Sequence, residues 1–139
     1  MPTTMLMKLC SPGKLPYITL YHGKEPYRFV IDTGSTLSWT THEVAGKMLL
    51  GEEAKTVETV INTDLESATQ VTLRAEPVTG TESDNTAQKF QVKLWCGTGT
   101  EKINEMNVHV DEPLHGILGV DFLLHNGAHV DMDRKLLYL

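Results

Sequence analysis

The sequence predicts an all-β domain closed into a barrel, with one short helix near its C-terminal end. Short segments rich in β-branched, aromatic and aliphatic residues recur along the chain, at 17–21, 27–31, 56–61, 69–75, 90–95, 106–110, 129–132 and 136–139. Several alternate between apolar and polar residues, as a half-buried strand does; Val71, Leu73 and Ala75 fall on one face. No internal repeat of solenoid length is present, and the firmest helix candidate is the short run 120–125. Many short strands with little helix between them point to an all-β, barrel-like domain.

A chain of 139 residues fits one domain spanning 1–139, large enough to bury a core without disulfides or metals. The net charge of -6 argues against a nucleic-acid or anionic-membrane partner, because phosphate binding needs clustered Lys and Arg. No apolar run approaches the ~20 residues that span a bilayer, and residues 1–10 lack the long apolar stretch of a secretory signal. Cys10 and Cys96 are too few for a disulfide framework or a cysteine zinc site, and read as free thiols in a reducing compartment; one bridge between them stays open. The location expected is cytoplasmic.

Residues 5–9 are short and apolar, either a terminal strand or a flexible arm within residues 1–14. Ser11, Pro12 and Gly13 break the chain. Strands at 17–21 and 27–31 flank a turn at His22, Gly23 and Lys24, so the hairpin delivers Asp32 to its end. A strand leaves at 37–41, followed by mild helical spacing at 42–50 with Val44, Met48 and Leu49. Strands at 56–61 and 69–75 enclose a polar connection at 62–67. Residues 79–88 form a polar loop. Strands at 90–95 and 106–110 are joined through Gly97 and Gly99, and Pro113 ends the second. After the helix at 120–125, stopped near Asn126 and Gly127, the last strands are 129–132 and 136–139. A chain that finishes on an apolar strand needs something to cover it, because an exposed apolar edge invites aggregation.

The chemistry concentrates in one stretch. Phe29, Val30 and Ile31 run directly into Asp32, Thr33, Gly34 and Ser35. Burying an acid at the end of an apolar strand costs several kcal/mol unless the acid is satisfied. Gly34 permits a tight turn, and the two hydroxyls can hold a carboxylate. Far along the chain, Ile117, Leu118 and Gly119 lead into Val120, Asp121, Phe122, Leu123 and Leu124.

These two stretches, in this order, resemble the retropepsin-like aspartic proteases of retroviruses and retrotransposons. Asp32, Thr33 and Gly34 match the active-site signature, and Ile117, Leu118 and Gly119 match the segment that threads beside the catalytic loop and opens a short helix. The resemblance covers most of residues 15–139, but only these two ends are specific. It implies a closed barrel assembled as a two-fold homodimer, with peptide hydrolysis by a water held between two carboxylates. No cofactor or metal is implied. Two carboxylates are needed, one as general base and one protonated to polarise the scissile carbonyl, and like charges that close share a single proton, as the known aspartic-protease dyad does. Only one such motif stands in the chain, so the second aspartate is expected from a second copy.

Further expectations follow from the resemblance. Asp32 is catalytic. Thr33, Gly34 and Ser35 support its loop; Thr33 reaches across the dimer and Ser35 hydrogen-bonds the Asp32 carboxylate. Ile117, Leu118 and Gly119 are structural beside the site, and Asp121 caps the following helix. Asn62, Thr63, Asp64 and Leu65 belong to a flap over the substrate. The terminal strands of two chains interleave into one sheet. The natural substrate is a retrotransposon or retroviral polyprotein, which adds virus-like particles to the possible locations.

The sequence also departs from the family. Val120 stands where retroviral enzymes often carry arginine, the expected flap lacks glycine, and the run from Asp32 to Trp39 is closer to the bilobed pepsins. Blander readings weigh against each feature. Asp32 is otherwise a structural carboxylate in a turn. The histidines at 109, 115, 125 and 129 show no pair with firm helical ligand spacing. Ser35 lacks the strand-to-helix elbow of a serine nucleophile. The alternatives are a cellular retropepsin-like protease, or a non-catalytic dimerisation or peptide-binding module on the same fold.

Overall fold

The computed structural model describes residues 4–10, 13–49, 54–61, 64–75, 88–96, 99–108, 110 and 112–139. Its centre is a six-stranded closed barrel. Strand β3 (Leu15–His22) pairs with β4 (Glu25–Ile31), β4 with β9 (Gly116–Leu118), β9 with β5 (Trp39–Thr40), β5 with β8 (Lys89–Cys96), and β8 with β7 (Asp64–Ala75). The pairs Leu20 with Ala75 and Tyr21 with Arg74 join β7 back to β3 and close the ring. Closure removes the free edges of an open sheet. Two further strands lie outside the ring: β2 (Lys8–Cys10) beside β3, and β6 (Ala54–Ile61) beside β7.

Alternation in the sequence becomes the barrel interior. Phe90, Val92 and Leu94 of β8 face inward with Val71, Leu73 and Ala75 of β7, and Ile18, Leu20, Phe29 and Leu118 complete the core. The β3–β4 hairpin turns in two residues, with His22 opposite Glu25. Gly23 takes φ +62°, the left-handed conformation such turns require.

Among the described residues three helices decorate the barrel, where one short helix and a mildly helical stretch were expected. The helical spacing at 42–50 is α1 (His42–Leu49). Thr41 Oγ1 accepts the Val44 N–H at 3.2 Å and caps the helix, while Val44, Ala45 and Met48 face the core. The expected C-terminal helix is α3 (Val120–His125). The segment expected as a strand at 106–110 begins instead as the end of a helix: α2 spans Gly99–Asn107, and Val108 turns out of it. Met106, Val108 and Val110 alternate, but Glu101, Lys102, Glu105 and Met106 are good helix formers, and Ile103 buries completely once the segment coils. Val108 is then left exposed.

Within the N-terminal segment, Thr4–Leu6 and Lys8–Cys10 are strands. Strand β1 (Thr4–Leu6) pairs with β11 (Leu136–Tyr138), which pairs in turn with β10 (His129–Asp131). Met5, Met7 and Leu137 are buried, so the apolar ends cover one another. Within the single chain β1 and β10 occupy the two edges of β11. The hairpin expected at 56–75 is longer than its polar connection suggested: β6 and β7 pair up to Ile61 opposite Asp64. Strand pairing needs backbone groups rather than apolar side chains, so a polar ribbon extends freely. The polar loop at 79–87 and the flap residues Asn62 and Thr63 lie outside the described residues. Among the described residues no helix is long and apolar enough to cross a membrane.

Candidate active site

Asp32 follows the last residue of β4, and its loop is clamped from the far end of the chain. Strands β4 and β9 run parallel, with Ile31 beside Leu118. The Asp32 N–H donates to the Leu118 carbonyl at 3.0 Å. The chain beyond β9 then passes under the loop: the Val120 N–H donates to the Ser35 carbonyl at 2.8 Å and the Asp121 N–H to the Thr36 carbonyl at 3.2 Å. The crossing needs a glycine. A Cβ on Gly119 would lie 2.5 Å from both the Ser35 and the Leu37 carbonyl oxygens. The two motifs, 85 residues apart if counted from Asp32 to Ile117, therefore form one structure. Ile117, Leu118 and Gly119 are all buried.

Ser38 locks this crossing, and nothing in the sequence marked it. It is fully buried. Its Oγ donates to Asp121 Oδ1 at 2.6 Å and accepts the Gly119 N–H at 3.0 Å. Its N–H donates to Asp121 Oδ2 at 3.1 Å, and its carbonyl accepts the Trp95 N–H at 2.8 Å. Asp121 also accepts the Phe122 N–H at 2.7 Å, but its main work is to tie α3 to the loop. The Ser35 hydroxyl was expected on the Asp32 carboxylate. It donates instead to the Leu37 carbonyl at 2.7 Å, because the turn points it back along its own loop. Thr33 is exposed, and its hydroxyl has no partner among the described residues.

The Asp32 carboxylate is about three-quarters buried and has two partners. Oδ1 accepts the Gly34 N–H at 2.9 Å. Oδ2 accepts from Lys102 Nζ at 2.6 Å, in a salt bridge from α2. The hydrogen bond from Lys102 is the largest influence on the carboxyl and holds its pKa below the usual aspartate value; partial burial opposes this, while the Gly34 N–H and the charge of Lys102 add to it. The sequence offered no signal for this contact, since its segment read as a strand connection.

Helix α2 stands between this site and a second feature, an open cavity of about 850 Å³. Thr100, Asn104 and Asn107 face the cavity, together with His22, His42 and His115. At 3.6 residues per turn Lys102 stands about 200° from Thr100, on the other side of the helix. His115 belongs to the scaffold. Its Nδ1 accepts the Arg28 N–H at 3.0 Å, which requires an unprotonated nitrogen. Burial, with the charges of Arg28 and Lys47, lowers its pKa to about 4 against a weaker opposing pull from Glu43. Among the described residues no three His, Cys, Asp or Glu side chains gather as metal ligands.

With this geometry in view, the comparison with solved structures is decisive for the fold. A structure described as a retropepsin-like aspartic protease from Rickettsia conorii superposes with a TM-score of 0.57, over 100% of this chain and 91% of that one, at 18% sequence identity. The chain has the retropepsin-like fold. No protein-family model matches the chain, and no curated protein matches it in sequence. The retropepsin-like framework is thus carried by topology and by the two clamped motifs rather than by overall sequence similarity.

Proposed function

We propose that the protein is an aspartic endopeptidase built from two copies of the chain, in which the two Asp32 carboxylates hold and activate a water. The observation that carries this reading is Asp32 itself: one partly exposed carboxylate, at the end of β4, in a loop clamped by β9 and α3. One carboxylate takes the proton of the attacking water, and the other, protonated, polarises the scissile carbonyl. The exposed, unpartnered Thr33 hydroxyl suits a role across the dimer. The β6–β7 ribbon suits a flap, with Asn62, Thr63, Asp64 and Leu65 at or next to its tip. Because β11 is paired on both edges within the chain, a second chain would join along β1 or β10, or take the place of β1.

The substrate is a polypeptide. A retrotransposon polyprotein is the first reading, from the motif pattern. A cellular processing role is the second, and the origin of the fold neighbour in Rickettsia conorii favours it. The test is cleavage of a mixed peptide library by wild type and by Asp32→Asn. Wild type should cleave and be inhibited by pepstatin, and Asp32→Asn should fold normally with activity reduced to background. Cleavage retained by the variant would remove Asp32 from the reaction.

A further inference from the structure

Lys102 is the one described residue whose charge acts on Asp32, and it belongs to neither motif. Its Nζ lies 2.6 Å from Oδ2, the oxygen left over once the Gly34 N–H has taken Oδ1. A protease dyad uses the carboxylate for the shared proton and for the water. An ammonium seated on it supplies neither. It also favours the ionised form, whereas the dyad must keep one proton. The contact and the reaction therefore compete for the same carboxylate.

We propose that Lys102 is a latch on the unpaired chain: its ammonium occupies Asp32 Oδ2 in the single chain and leaves when a second chain brings its own Asp32 to that carboxylate. The proposal rests on the two-chain reading of the site. Assembly then moves two groups. Each ammonium swings to solvent with its three protons, and the side chain, about half exposed, is free to do so. One proton from solvent joins the facing pair of carboxylates. The helix that carries the latch is held by residues other than Lys102. Ile103 and Thr100 are buried, Thr100 Oγ1 donates to the Thr40 carbonyl at 3.1 Å, and Asn107 bridges both backbone groups of Leu114.

The charges around the pair are simple. On α2 itself, Glu101 and Glu105 flank Lys102 in sequence. Of the strands packed on α2, β5 carries no titratable side chain, and β8 brings Lys89 and Lys93, the latter lying over the Trp95 ring. Asp121 of α3 is held by Ser38. The sign follows from linkage. The latch lowers the Asp32 pKa in the single chain, so its contribution is complete above the ordinary value of 3.8 and fades as pH falls through the lowered one. The latch therefore opposes assembly near neutral pH and releases in acid.

Sedimentation of wild type, Lys102→Met and Lys102→Arg from pH 7 to pH 3 tests this. An exposed ion pair is worth up to about a factor of five in an equilibrium, and a dimer breaks two, so Lys102→Met should tighten the dimer by up to about 25-fold at pH 7. The gap should hold down to about pH 4 and narrow below it, since the ordinary aspartate value lies there. Lys102→Arg keeps the charge and should stay near wild type. A Lys102→Met dimer no tighter than wild type, or a Lys102→Arg dimer as tight as Lys102→Met, would overturn the latch. A second readout needs no catalysis. The Asp32 carboxyl, followed by NMR in dilute single chains, should titrate higher in Lys102→Met than in wild type, and an unchanged titration would also overturn it. Failure of all three dimers to cleave peptide would refute the protease reading alone, and the titration would still decide the contact.

Discussion

The Asp32 loop and the α2 segment lie 2.6 Å apart at their closest charged atoms, yet they are made in opposite ways. The loop at 32–38 is specified from two places in the chain, each with a compact motif, and is held almost wholly by backbone groups and the buried Ser38. Segment 99–115 has no motif. It is placed by Ile103 and Thr100 packing on the barrel and by the Asn107 clamp on Leu114. Backbone geometry leaves little room for variation in the first region. Side-chain packing leaves more in the second, which suits it to modulate the site rather than to perform the chemistry.

That contrast can be broken most severely at Gly119. Gly119→Ala places a methyl group against two backbone carbonyls that cannot swing away. Overpacking of this kind costs about 3 kcal/mol. Urea unfolding should show the loss, and the proposed peptidase activity should vanish with it because the loop must shift. Normal activity in this variant would mean that the crossing at residue 119 tolerates far more than its geometry allows.

On the other side of the comparison, Ile103→Ala should cost slightly less, about 2–3 kcal/mol for emptying a fully buried site. The damage should be confined to α2. Amide NMR shifts of residues 35–38 should stay close to wild type while those of 99–107 move. Equal disturbance of both regions would show that they are one cooperative unit.

Ser38→Ala sharpens the account of the loop. It strands the buried Gly119 N–H and leaves Asp121 Oδ1 with the Phe122 N–H alone. Unsatisfied groups of this kind cost about 1–3 kcal/mol. Combining it with Asp121→Asn in a double-mutant cycle should give an energy well short of the sum, since both remove the same tie.

An effect confined to acid is expected at His115, where the connection from α2 enters β9. The unfolded chain protonates this histidine near 6.5, and the folded one only near 4. Between those values the unfolded state binds more protons, so stability rises with pH. The contribution is complete above 6.5 and is lost as pH falls through about 4. His115→Asn retains an acceptor but cannot titrate. Urea midpoints from pH 7.5 to pH 4 should therefore fall less steeply in the variant than in wild type.

Much of the barrel was legible because strands report burial through alternation. Val71, Leu73 and Ala75 on β7 are an example, as are Phe90, Val92 and Leu94 on β8. The strands at 129–131 and 136–138 and the short helix at 120–125 were legible from apolar runs and breakers. Alternation misled at 106–110, where Met106, Val108 and Val110 mimic a strand. A helix anchored by so few buried residues shows little periodicity of its own. The Ser35 hydroxyl was misdirected because a hydroxyl near a carboxylate can turn to either of two acceptors, and sequence does not choose between them.

The sequence by itself determined that Asp32 ends a buried strand, that a glycine turn follows it, and that a second apolar-apolar-glycine run stands ready to cross it. Those features are local, and their spacing along the chain states them. Tertiary structure alone decided that the terminal strands pair within one chain, that Ser38 is the hub of the crossing, and that Lys102 sits on Asp32 Oδ2. Each depends on groups far apart in sequence being brought together by barrel closure. A hydroxyl or an ammonium bonds to whichever acceptor the fold places within reach.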